Sequence, residues 1–135
     1  MSQKICIVDD DEDVRDVIKY ALELEGLQTL PFSDPFEAES VLSEFGPSDL
    51  PSLMILDYYM PNMNGVDFIK LLRRKYSQTL GQIPIILSTA YVFDETFRLP
   101  DGVKLLEKPW SITDLLEVIN TTLYFDSPNS FSSQL

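Results

Sequence analysis

Short apolar runs recur along this chain, and each stops abruptly at a polar residue. Leu53-Met54-Ile55-Leu56 ends in Asp57, and Ile5-Cys6-Ile7-Val8 ends in Asp9 and Asp10. Ile83-Pro84-Ile85-Ile86-Leu87 ends in Ser88 and Thr89, and Val103-Lys104-Leu105-Leu106-Glu107 ends in Lys108. Such runs are too short for buried helices and are bounded by loop residues, so they read as buried strands. Parallel strands covered on both faces look like this, because neither face meets water.

Helical patterns separate the runs. After Asp10-Asp11-Glu12-Asp13, Val14, Val17, Ile18, Ala21 and Leu22 repeat at helix spacing, and Gly26 stands where a helix stops. Leu27 to Phe32 is a further strand whose Pro31 argues for a sheet edge. Asp34-Pro35-Phe36-Glu37 carries an N-cap acid with proline at the first helical position, and predicts a helix to about Phe45. Gly65 to Tyr76 predicts a third helix, burying Val66, Phe68, Ile69, Leu72 and Tyr76. Val92 to Leu99 holds at most a short helical segment before Pro100-Asp101-Gly102. Ser111-Ile112-Thr113-Asp114 opens the last helix with a capping-box pattern, and its inner face is Ile112, Leu115, Leu116, Ile119 and Leu123. Five strand–helix units imply an α/β, flavodoxin-like, doubly wound parallel sheet of order 2-1-3-4-5 in three α/β/α layers. One domain over residues 1–125 is expected, with a flexible tail over 126–135 that is rich in Ser, Pro and Asn.

In such sheets the functional crevice lies outside the carboxyl ends of the strands. Strands 1, 3, 4 and 5 are neighbours in the proposed order, so Asp9, Asp10, Asp57, Ser88, Thr89 and Lys108 would surround one crevice. Crowded carboxylates repel one another and need a counter-charge. A hard divalent cation such as Mg²⁺ (or Mn²⁺) suits an all-oxygen site. Lys108 supplies a point charge for an anion, and Thr89 a hydroxyl. The combination fits a phosphoryl group carried by, or transferred to, a carboxylate. Taken singly, the same residues also read as a turn acid, helix-terminal acids, a loop hydroxyl and a surface lysine.

Lys and Arg total 10 against 22 Asp and Glu, a net charge of −12. That balance disfavours nucleic acid or an anionic membrane surface as a direct partner and favours cations and basic protein patches. The chain has no His, which excludes histidine catalysis and an internal phosphohistidine. The single Cys6 suits a reducing compartment, and without a secretory signal or a membrane-length apolar stretch a cytoplasmic location is expected.

Val8-Asp9-Asp10 with Arg15, Asp57 followed by Met60-Pro61 and Asn64-Gly65, Thr89-Ala90, and Lys108-Pro109 stand in one order and spacing. In these, across residues 4 to 125, the chain resembles the receiver domain of two-component response regulators. The resemblance implies that Asp57 accepts a phosphoryl group from a phosphohistidine of a sensor histidine kinase or histidine phosphotransfer protein. It implies that Asp10, Asp57 and the backbone carbonyl of Tyr59 ligate Mg²⁺, with Asp9 acting through water. Thr89 and Lys108 would contact the phosphoryl oxygens, and the Lys108–Pro109 peptide would be cis.

Two departures stand out. Leu105 occupies the family's usual aromatic switch position, and the segment between Thr89 and Lys108 is short. The family's threonine–aromatic coupling is therefore not carried over, and a stunted fourth helix is expected. Tyr59 and Tyr91 flank the site and would slow water attack on an acyl phosphate. The leading reading is a stand-alone signalling switch, not a turnover enzyme, that contacts a downstream protein effector or relays its phosphoryl group. The rivals are a degenerate receiver that only binds proteins, a phosphatase with an aspartyl nucleophile, and a flavin-binding protein of the same fold.

Overall fold

Five parallel strands form one sheet in the order β2-β1-β3-β4-β5: β1 (Lys4–Val8), β2 (Gln28–Phe32), β3 (Leu53–Asp57), β4 (Ile85–Thr89) and β5 (Lys104–Glu107). Four helices accompany them in this computed structural model, which describes residues 3–90 and 96–124: α1 (Glu12–Leu24), α2 (Pro35–Leu42), α3 (Gly65–Lys75) and α4 (Ile112–Leu123). The topology is the flavodoxin-like order expected from the sequence. β2 lies at the edge, where Pro31 removes no ladder bond that the sheet needs.

Period-two alternation sorts the strand side chains into two cores. Cys6, Val8, Met54, Leu56, Ile85 and Leu87 face α2 and α3, meeting Ala38, Leu42, Phe68, Ile69 and Leu72. Ile5, Ile7, Leu53, Ile55 and Ile86 face α1 and α4, meeting Ile18, Leu22, Leu115, Leu116 and Ile119. Leu105 packs half-buried into the first core, and Leu106 is buried in the second. Cys6 is fully buried, and burial pushes its thiol far above the usual range.

The helix ends follow local chemistry. Asp11, Asp34 and Asn64 cap α1, α2 and α3 by accepting backbone N–H bonds, and Ser111 with Asp114 forms a full capping box on α4. Gly26 (φ +80) ends α1: its N–H donates to the Glu23 carbonyl at 3.0 Å, and the Leu27 N–H donates to the Leu22 carbonyl at 3.1 Å. That pair of bonds satisfies carbonyls which the helix leaves open.

Some boundaries differ from the sequence expectation. α2 stops at Leu42 rather than near Phe45, and a single 3₁₀ turn covers Pro47–Asp49. β4 begins at Ile85, and β5 at Lys104. Tyr76 caps α3 and packs half-buried against the edge of the first core rather than being fully buried, and its hydroxyl donates to Glu39 Oε2 at 2.8 Å. Val17 is exposed, and so is Ile112. Both sit one step around their helices from the sheet-facing stripe, and both line an open groove of about 580 Å³ between α1 and α4. Residues 96–100 form a turn and irregular backbone; the rest of the expected short helix, with Tyr91, lies outside the described residues, as does the expected tail over 126–135. No helix among the described residues is long and apolar enough to cross a membrane.

Gly65 is the tightest joint between the sheet and a helix. A Cβ there would lie 2.7 Å from the Asp57 carbonyl oxygen and 2.7 Å from Leu87 Cδ1. Backbone and core cannot both move aside, so Gly65→Ala is expected to destabilise the fold by roughly 2–3 kcal/mol in urea denaturation. A loss below about 0.5 kcal/mol would contradict this packing.

Candidate functional site

Asp57 is the last residue of β3, where the apolar run ends and the backbone turns toward α3. The turn is fixed locally. The Tyr58 N–H donates to the Ser88 carbonyl at 2.9 Å, and the Gly65 N–H donates to the Tyr58 carbonyl at 2.8 Å. Asn62 adopts φ +77, a left-handed conformation that asparagine tolerates, and its amide donates to Asp34 Oδ2 at 3.2 Å. The loop returns to the sheet within a few residues, leaving the Asp57 carboxylate at the mouth of the crevice.

Asp9 and Asp10 follow β1, the neighbour of β3. Carboxylate oxygens of Asp9, Asp10 and Asp57 all lie within 4.8 Å of one another. Asp9 and Asp57 are almost fully buried, and Asp10 is exposed. Asp9 is held from three sides. Its N–H donates to the Phe32 carbonyl at 3.1 Å, its Oδ1 accepts from the Asp11 N–H at 2.9 Å, and its carbonyl accepts from Arg15 Nη1 at 2.7 Å.

Lys108 enters from the end of β5. Its Nζ donates to Asp57 Oδ1 at 3.1 Å and lies 3.8 Å from Asp9 Oδ2. Its backbone N–H donates to the Thr89 carbonyl at 2.8 Å, and the Lys108–Pro109 peptide is cis, as the resemblance implied. Thr89 is buried at the end of β4, one residue past Ser88, which pairs with Asp57 in register. By the sheet's alternation Asp57 belongs to the α1/α4 side and Thr89 to the α2/α3 side. Tyr59 follows Asp57 by two residues; its ring is exposed and meets Tyr58 edge-on at 5.1 Å.

The electrostatics are those of an under-neutralised acid pocket. Burial pushes the Asp57 carboxyl up to about 6; nearby Asp9 and Asp10 add to this, and the Lys108 hydrogen bond and charge only partly oppose it. Burial also raises Asp9, against the Asp11 N–H and Lys108, with Asp10 and Asp11 adding to the rise. At Lys108 burial works against the ammonium, yet the Asp57 hydrogen bond and the fields of Asp57, Asp9 and Asp11 outweigh it, so its pKa is raised. Three carboxylates share one ammonium here, and the donor set is all oxygen. Those are the conditions under which a hard divalent cation fits.

Sequence reasoning missed two supports. Arg15 was legible only as part of a motif, and its bond to the Asp9 carbonyl had no local signal. The Trp110 Nε1–H donates to Ser88 Oγ at 3.0 Å. A lone indole beside a lysine–proline pair could have prompted a search for a buried acceptor.

The raised Asp57 has a stability consequence. The folded state favours its neutral form, so the associated stability is full below about pH 4 and is lost as pH rises through about 6. At pH 7.5 and without metal the buried charge costs on the order of 2–3 kcal/mol. Asp57→Asn should therefore be more stable than the parent by about 1–3 kcal/mol at pH 7.5 in chelator, with the gap shrinking toward pH 4. Urea denaturation at both pH values tests this, and a gap that widens on acidification would contradict it.

Comparison with known proteins converges on one group. A profile of the response regulator receiver domain matches residues 5–120. The phosphate regulon transcriptional regulatory protein PhoB of Klebsiella pneumoniae is 30% identical over 136 residues, covering 95% of this chain and 55% of that protein. The transcriptional regulatory protein CpxR of Escherichia coli K12 is 32% identical over 123 residues, covering 89% and 49%. The chain thus spans about half the length of these curated relatives. Its fold superposes on the signal receiver domain of a signal transduction histidine kinase from Syntrophus aciditrophicus with a TM-score of 0.77, at 25% identity and 96% of each chain. The chemotaxis protein CheY4 of Vibrio cholerae shares the fold with a TM-score of 0.78, at 23% identity, over 91% of this chain and 100% of that one.

Proposed function

The chain belongs to the response regulator receiver domain family, and on that premise we propose that Asp57 is its phosphoryl acceptor. The observation that carries this reading is the Lys108 ammonium 3.1 Å from a buried Asp57 that shares its pocket with Asp9 and Asp10. Lone turn acids are not arranged in this way. The family implies a phosphohistidine of a partner kinase or phosphotransfer protein as the donor, and these 135 residues contain no His that could serve instead.

An Asp57 carboxylate oxygen attacks the phosphorus. The new P–O bond forms as the donor's P–N bond breaks, and the imidazole leaves with its electron pair and takes a proton. The attacking group must be ionised, and a carboxyl pushed up to about 6 is still largely ionised at neutral pH. Lys108 holds one phosphoryl oxygen as a point charge, and the Thr89 hydroxyl donates to another. Asp10, Asp57 and the Tyr59 carbonyl are the groups that would hold Mg²⁺ or Mn²⁺, with Asp9 acting through a bridging water. When bound, the cation offsets the charge of the carboxylates and of the phosphoryl oxygens. Unloading is hydrolysis: water attacks phosphorus, the acyl P–O bond breaks, and inorganic phosphate and the free carboxylate result.

The cycle is one of loading and unloading a switch rather than substrate turnover, and its output is contact with a protein effector. A net charge of −12 favours basic protein surfaces over nucleic acid or an anionic membrane as the partner of this chain.

Incubation with acetyl phosphate and Mg²⁺ should add one phosphoryl group by intact mass. Asp57→Asn or chelation should abolish the addition, and Lys108→Ala should slow it roughly 100-fold. An unmodified parent protein would leave only a protein-binding module. Modification that persists in Asp57→Asn would move the acceptor elsewhere.

Tyr59 follows the acceptor by two residues and its ring is exposed, so we further propose that it hinders water on its way to the acyl phosphate. Tyr59→Ala is expected to shorten the acyl-phosphate lifetime several-fold in a radiolabel-loss assay. An unchanged decay rate would remove Tyr59 from that role.

A further inference from the structure

Lys108 acts at the end of a flexible four-carbon stem, so its ammonium is only as well placed as its backbone. That backbone lies beyond the last residue of β5 and before α4, in a segment the sheet itself does not order. Two bonds tie it down. The Lys108 N–H donates to the Thr89 carbonyl at 2.8 Å, and two residues on the Trp110 Nε1–H donates to Ser88 Oγ at 3.0 Å. Both anchor points are on the last turn of the β4 ladder, and Ser88 is the in-register partner of Asp57. Residues 108–110 are thus fastened at both ends to the strand that flanks the acceptor.

The second fastening is specific to its two partners. Ser88 is buried, so its hydroxyl needs a protein partner, and the indole N–H supplies it. The Trp110 ring packs against the core on the α1/α4 side and walls an open pocket of about 470 Å³ with Val14, Val17, Ala90, Lys108 and Pro109. Trp110 is the chain's single tryptophan. Without its bond the ring could slide along the pocket wall, and the Lys108 backbone would move with it.

We propose that the Trp110–Ser88 hydrogen bond is a clamp that positions Lys108 over Asp57. Trp110 and Ser88 touch no reacting atom and act through Lys108, as positioning residues for phosphoryl acceptance. The inference rests on the reading of Asp57 as acceptor.

Trp110→Phe keeps a ring and removes the donor, Ser88→Ala removes the acceptor, and Ser88→Thr restores a hydroxyl. Initial rates of loading with acetyl phosphate and Mg²⁺ are compared for these variants, for Lys108→Ala, and for Trp110→Phe combined with Lys108→Ala. Amide exchange of the Lys108 N–H is followed separately without phosphodonor. Trp110→Phe and Ser88→Ala should each load roughly tenfold more slowly, the loss expected when the ammonium is misplaced by well under an ångström. Ser88→Thr should recover most of the rate. Once Lys108 is absent, Trp110→Phe should change the rate less than about twofold, because coupled residues are not additive. Lys108 amide exchange should quicken in both clamp variants while amides of β1 and β3 keep their protection. Parent-like loading in either clamp variant, or the same loss with Lys108 already removed, overturns the clamp. A parent protein that takes up no phosphoryl group overturns the acceptor reading instead. The exchange measurement then decides the clamp, and unchanged Lys108 exchange in Trp110→Phe ends it.

Discussion

Burying charge of one sign is the constraint on which this molecule turns. Asp9 and Asp57 are almost fully withdrawn from water, Asp10 lies beside them, and Lys108 is the cation paired with the two buried acids. Stability alone would not select such a pocket, because desolvation and mutual repulsion both raise the energy of the ionised acids. It persists because the surrounding structure over-determines it. Two all-apolar cores pin β1 and β3 side by side, the Asp11 N–H and Arg15 hold Asp9, and Gly65 lets α3 start against the Asp57 carbonyl. The excess stability of the sheet is stored at its carboxyl edge as an appetite for positive charge.

Much of this was legible in the sequence because period and polarity change at the same residues. Leu53 to Leu56 read as a covered strand because the run is short and bounded by loop residues, and Asp57 follows it directly, so the strand and its end were read together. The order of the strands followed from the count of strand–helix units and from Pro31, which suits an edge. Gly26 and Ser111 marked helix boundaries by chemistry that acts within a few residues. The grouping of Asp9, Asp10, Asp57 and Lys108 was a corollary of strand order and needed no knowledge of distances.

What stayed hidden depends on contacts across the sheet or on small rotations about a helix axis. Val17 and Ile18 are adjacent and both apolar, yet only Ile18 faces the sheet; about 100° of helix turn separates them. Tyr76 looked like the last core residue of α3, but its hydroxyl reaches Glu39 on α2, a partner 37 residues away. Trp110 and Ser88 are separated by 22 residues, and neither carries a mark that names the other. Local pattern gives elements and their ends. It does not give which polar tips meet once the layers close.

The alternation of side chains has one more effect at this edge. Asp57 continues the row that faces α1 and α4, whereas Thr89 continues the row that faces α2 and α3. The rim of the crevice is thus bordered from both layers, so a change of packing in either core would reach it directly.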